Sequence, residues 1–191
     1  MKPISKLVND NIKNFKPCIH GGEVLDAAFK SGFRREDILD FSSSVNPLGS
    51  SKKALDAVRT GFGGIASYPD SNSSELREVI ANHYGGIDRG NVVVGNGSTE
   101  LMYLFAEAFM KKGDLAVIPA PTFGEYESAI RKTGQEPKFV RLNSNFRIDP
   151  SAFTSEMAGA KIVFFCNPNN PTSLLTPTKQ LTEIIESALE Q

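Results

Sequence analysis

Asn91-Val92-Val93-Val94-Gly95-Asn96-Gly97-Ser98-Thr99-Glu100 passes from a continuous β-branched run into a glycine turn and straight into a helical pattern. A short apolar run bounded by turn signals reads as a buried strand. Beyond it, Leu101, Leu104, Phe105 and Ala108 recur on one helical face. Strand, tight turn and helix in that order predict an α/β chain, and the pattern repeats downstream. Residues 115–118 read as a second buried strand closed by Pro119-Ala120-Pro121, with Tyr126, Ala129, Ile130 and Thr133 on the helix after it. Residues 138–142 and 162–166 read as two further strands. Leu181, Ile184, Ile185 and Ala188 mark a last helix over 178–189, with Thr176 as N-cap and Pro177 at its first position.

Upstream, Leu76, Val79, Ile80 and His83 fall on one face of a helix. Asn72 and Glu75 resemble a capping box at its start, and Gly85-Gly86 stops it. Residues 51–59 fit a short helix, residues 38–41 a short strand, and residues 1–22 a polar arm. Strands alternating with amphipathic helices predict a mostly parallel sheet with helices on both faces.

Composition narrows the function classes. The chain has 191 residues and a formal net charge of -1, with both signs interspersed. That balance argues against a basic nucleic-acid surface or a polybasic membrane anchor. No apolar run approaches the roughly 20 residues that span a bilayer. The first 18 residues lack the apolar segment of a secretory signal. Cys18 and Cys166 lie far apart without metal-ligand spacing, so no metal site or disulfide framework is expected and the cytoplasm is the expected compartment.

In open α/β sheets, ligands bind beyond the carboxyl ends of the strands, and three strand ends here are unusual. Gly95 to Glu100 either caps the helix through Ser98 or Thr99, or cradles a phosphate on glycine backbone and helix N–H groups. A dinucleotide fingerprint would need a third glycine where Glu100 stands, and a P-loop would need Gly-Lys-Ser/Thr; neither fits. Phe123, in Pro119-Ala120-Pro121-Thr122-Phe123-Gly124-Glu125-Tyr126, is placed either to stack on a flat ring or to fill the core. Cys166-Asn167-Pro168-Asn169-Asn170-Pro171-Thr172 holds two X-Pro bonds three residues apart, the mark of a fixed turn, with asparagine amides able to donate to a ligand.

Taken in order, Gly-Asn-Gly-Ser-Thr-Glu, Ala-Pro-Thr-Phe-Gly-Glu-Tyr and Asn-Pro-Asn-Asn-Pro-Thr resemble the pyridoxal 5'-phosphate (PLP) enzymes of fold type I, class I/II aminotransferases. The resemblance spans residue 38 to the end. Within the superfamily the chain resembles the histidinol-phosphate aminotransferase branch, and His20-Gly21-Gly22, Leu39-Asp40-Phe41-Ser42-Ser43-Ser44 and Asn46-Pro47-Leu48-Gly49 are similar to the threonine-phosphate decarboxylases of cobalamin biosynthesis, which belong to that branch. The alternatives are a histidinol-phosphate aminotransferase of histidine biosynthesis and a non-catalytic remnant that binds a paralogue.

The resemblance implies that Gly97, Ser98 and Thr99 cradle the cofactor phosphate, Phe123 stacks on the pyridine ring, and Asn170 bonds the ring O3′, with Pro171 cis. It places Tyr68 against the phosphate in a neighbouring subunit, which implies a homodimer. Asn46 falls on the substrate side, and His20 near the phosphate of a phosphorylated amino-acid-type substrate, although a histidine on a flexible arm reads equally well. His83 takes no catalytic role.

Residues 1–48 would then form an N-terminal arm and small-domain segment, and residues 49–191 an incomplete PLP-binding large domain. The chain is expected to stop before the Schiff-base lysine, leaving it no catalytic residue. Thr176-Pro177-Thr178-Lys179 only imitates that lysine motif, since Lys179 falls on a surface helix. Ser173 stands where the family has glycine; if that position needs positive φ, serine is strained there by about 1 kcal/mol.

Overall fold

The computed structural model describes residues 3, 6–13 and 15–190. The helices are α1 (Asp10–Lys13), α2 (Val24–Ser31), α3 (Lys52–Gly61), α4 (Ser74–Tyr84), α5 (Ser98–Phe109), α6 (Gly124–Lys132), α7 (Pro150–Glu156) and α8 (Thr178–Leu189). Among the described residues, three strands, β1 (Ala116–Ala120), β2 (Pro137–Arg141) and β3 (Ile162–Val163), form a parallel sheet in the order β2-β1-β3. Two compact units result: Met1–Cys18 with Gly95–Gln191, and Ile19–Val94. The sequence boundary at 48/49 falls inside the second.

The first unit holds the sheet. β1 is central, with Ala116 beside Pro137 and Ile162, and Val117 beside Lys138 and Val163. Its alternate residues serve opposite faces, as a period of two requires. Ala116 and Ile118 pack with Tyr126 and Ile130 of α6, Met110 and Ile162, with Met102 of α5 against them. Val117 packs on the other face with Ile148, Phe153 and Met157 around α7, and Ile184 of α8. Helices thus cover both sides of the sheet, the α/β layering predicted from the sequence.

α5 and α6 run side by side in the same direction. Near their amino ends the Tyr103 hydroxyl donates to Glu125 Oε2 at 2.6 Å, and near their carboxyl ends Lys132 Nζ meets Glu107 Oε1 at 2.6 Å. α6 begins four residues after β1 ends, so both helix amino termini lie at the carboxyl edge of the sheet.

Several local expectations are corrected. Residues 91–94 are not a strand: a short 3₁₀ turn over Arg89–Asn91 leads into extended chain. Among the described residues no strand pairs with them, and Val93 is 75% exposed. Residues 38–41 likewise join no sheet, with Leu39 and Phe41 exposed. A β-branched run becomes a strand only where a neighbour supplies the ladder. β3 is shorter than expected, although Phe164 N still donates to Val117 O at 3.1 Å.

α4 is capped by Asp70, which accepts from Ser74 N at 2.7 Å and Asn72 N at 2.9 Å, while Ser73 at the N-cap makes no side-chain cap. Asn72 therefore does not form a capping box. Those backbone bonds hold the Asp70 carboxyl below its ordinary range. α8 spans the expected residues 178–189, but Pro177 rather than Thr176 takes the capping position, and the Thr176 N–H is given to Asn167 Oδ1 at 2.8 Å. α7 was not expected, although Asp149 accepting from Ala152 N and Pro150 at its first position form a normal helix start. Among the described residues no helix is long and apolar enough to cross a membrane.

Candidate functional site

At the turn into α5, a side chain on Gly95 would crowd its neighbours. A Cβ on Gly95 would lie 2.8 Å from both Glu100 Oε2 and Leu101 Cδ2. Glu100 is held there because its carboxylate accepts from Asn96 N at 2.5 Å. Gly97 is the N-cap of α5 at φ 87° and ψ 163°, and no side chain caps the helix. Neither Ser98 nor Thr99 is the N-cap; they are the first two helical residues. Helix starts leave N–H groups without intrahelical partners; here they accompany two hydroxyls, and a Cβ on Gly97 would meet nothing within 4 Å. This donor set suits a phosphate.

Phe123 ends the loop after β1 and occupies the N-cap position of α6. Its ring meets Tyr126 edge-on, with centroids 5.8 Å apart. Tyr126 in turn stacks on Phe164, 4.9 Å apart and 3° from parallel. Burial first, and Cys166 second, push the Tyr126 hydroxyl well above the ordinary tyrosine range. Tyr103 is raised to about 12, by burial and then by its bond to Glu125. Both phenols therefore stay neutral at physiological pH, as packing and hydrogen-bonding groups.

The loop after β3 carries Asn170, exposed, and the Asn167-Pro168 and Asn170-Pro171 bonds are both cis, as is Ala120-Pro121 in the loop after β1. The cis geometry expected at Pro171 is present. Ser173 has φ 59°, so the position does take the conformation that favours glycine.

Asn169, which sequence reasoning passed over, is buried and connects the two loops. Its Nδ2 donates to Pro121 O at 3.1 Å and to Thr172 Oγ1 at 3.0 Å, and its Oδ1 accepts from Thr122 Oγ1 at 2.8 Å. Nothing in Asn-Pro-Asn-Asn-Pro-Thr separates this asparagine from its neighbours, because only burial distinguishes them. Beneath the loop a cavity of about 20 Å³, lined by Pro119, Cys166, Asn169 and Leu174, has room for about one water. A larger hollow of about 600 Å³ lies against α6, but its Arg131 is already tied to Glu127 at 2.7 Å and Glu136 at 2.5 Å.

Gly97, Ser98, Thr99, Phe123 and Asn170 therefore gather at the carboxyl edge of the sheet, all within the first unit. His20, Asn46 and Tyr68 lie in the other unit. Asn46 shapes its own turn, accepting from Leu48 N at 3.0 Å and donating to Gly49 O at 3.3 Å. Tyr68 and His20 are exposed. Lys179 is exposed in the first turn of α8, as expected for a surface lysine.

A family model described as aminotransferase class I and II matches residues 36–191. A histidinol-phosphate aminotransferase of Methanosarcina mazei is 34% identical over 184 residues, covering 95% of this chain and 50% of the relative. A putative threonine-phosphate decarboxylase of Caldanaerobacter subterraneus subsp. tengcongensis is 38% identical over 162 residues, covering 84% of this chain and 41% of the relative. In structure, a histidinol-phosphate aminotransferase of Sinorhizobium meliloti, solved with pyridoxal-5'-phosphate, superposes with a TM-score of 0.79. At 17% identity, over 94% of this chain and 47% of that one, this likeness shows the fold. The chain spans about half the length of the curated relatives it matches.

Proposed function

Because the chain belongs to the class I and II aminotransferase family, we propose that it holds PLP at the carboxyl edge of its sheet, as the cofactor-cradling part of an enzyme that transaminates a phosphorylated amino-acid-type substrate of the histidinol-phosphate kind, the Schiff-base lysine being expected outside residues 1–191. The observation that carries this is the convergence, within one unit, of an uncapped helix start behind Gly97, an aromatic ring at the end of β1 and an exposed asparagine at the end of β3. The residues fit the group: Gly97 leaves open space for a phosphate, and the N–H groups of Ser98 and Thr99 with their hydroxyls bind its oxygens. Phe123 covers one face of a flat ring, and Asn170 donates to a ring oxygen. When bound, PLP supplies an electron sink for the bond broken at the substrate Cα.

The aminotransferase reading takes precedence over decarboxylation because histidinol-phosphate aminotransferase recurs among the relatives, at 29–34% identity. Decarboxylation stands second, favoured by the 38% identity with the putative threonine-phosphate decarboxylase. His20 and Asn46 are assigned to the substrate side. Tyr68 is assigned to the phosphate of a second copy, in a homodimer.

Equilibrium dialysis of the purified protein against PLP, with pyridoxal as the phosphate-free control, tests the cofactor reading. Saturable PLP binding at least tenfold tighter than pyridoxal is expected; equal or unsaturable binding of both refutes it. With the lysine-bearing half of a related aminotransferase supplied in trans, offering histidinol phosphate with an oxo acid, or O-phosphothreonine alone, then separates amino transfer from release of carbon dioxide.

A further inference from the structure

We propose that Asn169 is a positioning residue: it locks the loop bearing Phe123 to the loop bearing Asn170, and so sets the gap into which the cofactor ring fits. The assignment rests on the cofactor reading above and adds a residue that does not touch the cofactor.

The sheet order creates the need for such a lock. β1 and β3 are neighbours, yet α6, which follows β1, covers the Ala116 and Ile118 face, while α8, which follows β3, covers the Val117 face. The chain therefore leaves two adjacent strands towards opposite sides, a topological switch point at which a crevice opens. The backbone ladder between these strands is short. It pairs Ala116 with Ile162 and Val117 with Val163, and reaches Phe164 N to Val117 O. Beyond that, the two loops need side chains to hold them in register.

Asn169 meets this need with a side chain 9% exposed in the residue as a whole. One amide nitrogen donates both to the β1 loop, at Pro121 O, and to its own loop, at Thr172 Oγ1; the amide oxygen accepts from Thr122 of the β1 loop. Its backbone closes its own loop, with Asn169 N donating to Leu174 O at 2.9 Å and Ser173 N donating to Asn169 O at 2.7 Å. Phe123 follows Thr122 directly, and Asn170 follows Asn169 directly. Any shift of one loop against the other is therefore a shift of the stacking ring against the amide assigned to O3′. An aspartate of the same shape keeps the acceptor but has no donors, and sets a carboxylate against the Pro121 carbonyl. The phosphate cradle at Gly97–Thr99 takes no part in this network.

That separation gives the test. PLP and inorganic phosphate are each titrated into wild type, Asn169→Ala, Asn169→Asp and Thr122→Val, by dialysis and by ³¹P NMR. Thr122→Val removes one bond at nearly constant volume and keeps the experiment decisive if Asn169→Ala does not fold. Expected is a loss of PLP affinity of about tenfold or more in both Asn169 variants and a smaller loss in Thr122→Val. Inorganic phosphate affinity should stay within about twofold of wild type throughout. A residue that only stabilises the fold would move both ligands together. Parallel losses, or unchanged PLP affinity in a folded variant, overturn the assignment and leave the cofactor reading standing. Wild-type protein that binds phosphate but gains nothing from the ring overturns the cofactor reading and this assignment with it.

Discussion

Replacing Gly97 with alanine isolates a single backbone conformation at the proposed cradle. At φ 87° and ψ 163°, Gly97 occupies the extended positive-φ region that is essentially reserved for glycine. Other residues there cost about 1–3 kcal/mol. A Cβ would meet nothing within 4 Å, so no steric clash adds to that figure. The cost can appear in two ways. If the turn keeps its shape, folding stability falls by about 2 kcal/mol. If the turn relaxes to negative φ, stability is kept but the Ser98 N–H swings away from the phosphate. A loss of about 2 kcal/mol taken wholly on binding raises the PLP dissociation constant about thirtyfold. Urea unfolding and equilibrium dialysis on the same variant measure both parts, and their sum should fall between about 1 and 3 kcal/mol. Gly97→Asn is expected to behave like alanine. Asparagine tolerates the left-handed helical region near ψ 47°, not ψ 163°. Alanine with wild-type stability and wild-type affinity would refute the reasoning, as would rescue by asparagine.

Ser173→Gly should raise stability by about 0.5–1 kcal/mol, because serine at φ 59° is relieved while Ser173 N keeps its bond to Asn169 O; a lower urea midpoint would contradict this. Phe153 is fully buried beside Phe165, with ring centroids 5.8 Å apart, so Phe153→Ala should cost about 3–5 kcal/mol and Phe153→Leu much less; an alanine variant within about 1 kcal/mol of wild type would be inconsistent with the packing. Tyr103, raised from 10.0 to about 12, favours the folded state through its neutral form. Its contribution is complete below about pH 10 and is lost as pH rises through about 12. Ultraviolet titration should show a late phenol in the folded protein that Glu125→Gln moves downward without abolishing, since burial is the larger cause; no movement would exclude the bond to Glu125.

Where pattern and packing depend on the same few residues, the sequence was a sufficient guide. β1, α6 and α8 each bury one continuous or periodic apolar face, and that face is visible in the residues themselves. Residues 91–94 and 38–41 carry the composition of strands without the neighbour that would make them so, and composition cannot reveal a missing partner. The cap of α4 was misassigned because Asp70, Asn72 and Ser73 can all cap a helix, and only the path of the chain selects Asp70. α7 was overlooked although Asp149-Pro150 signals a helix start, because a helix of two turns shows little periodicity. In the candidate site, glycines and an aromatic at expected strand ends drew attention to Gly97 and Phe123, and the resemblance alone implied roles for them. Asn169 was hidden by its own kind: three asparagines stand within four residues, and burial divides their tasks.

β1 belongs to two cores at once. Ala116 and Ile118 answer to α5 and α6, Val117 answers to α7 and α8, and one rigid backbone carries all three. Close-packed interiors pass displacement on rather than absorbing it. A methylene too many beneath α8 therefore moves the same strand as one too few beneath α6, and the loop that presents Phe123 moves with it. Substitution has least latitude at these three small or branched residues, which govern where the Phe123 side chain arrives.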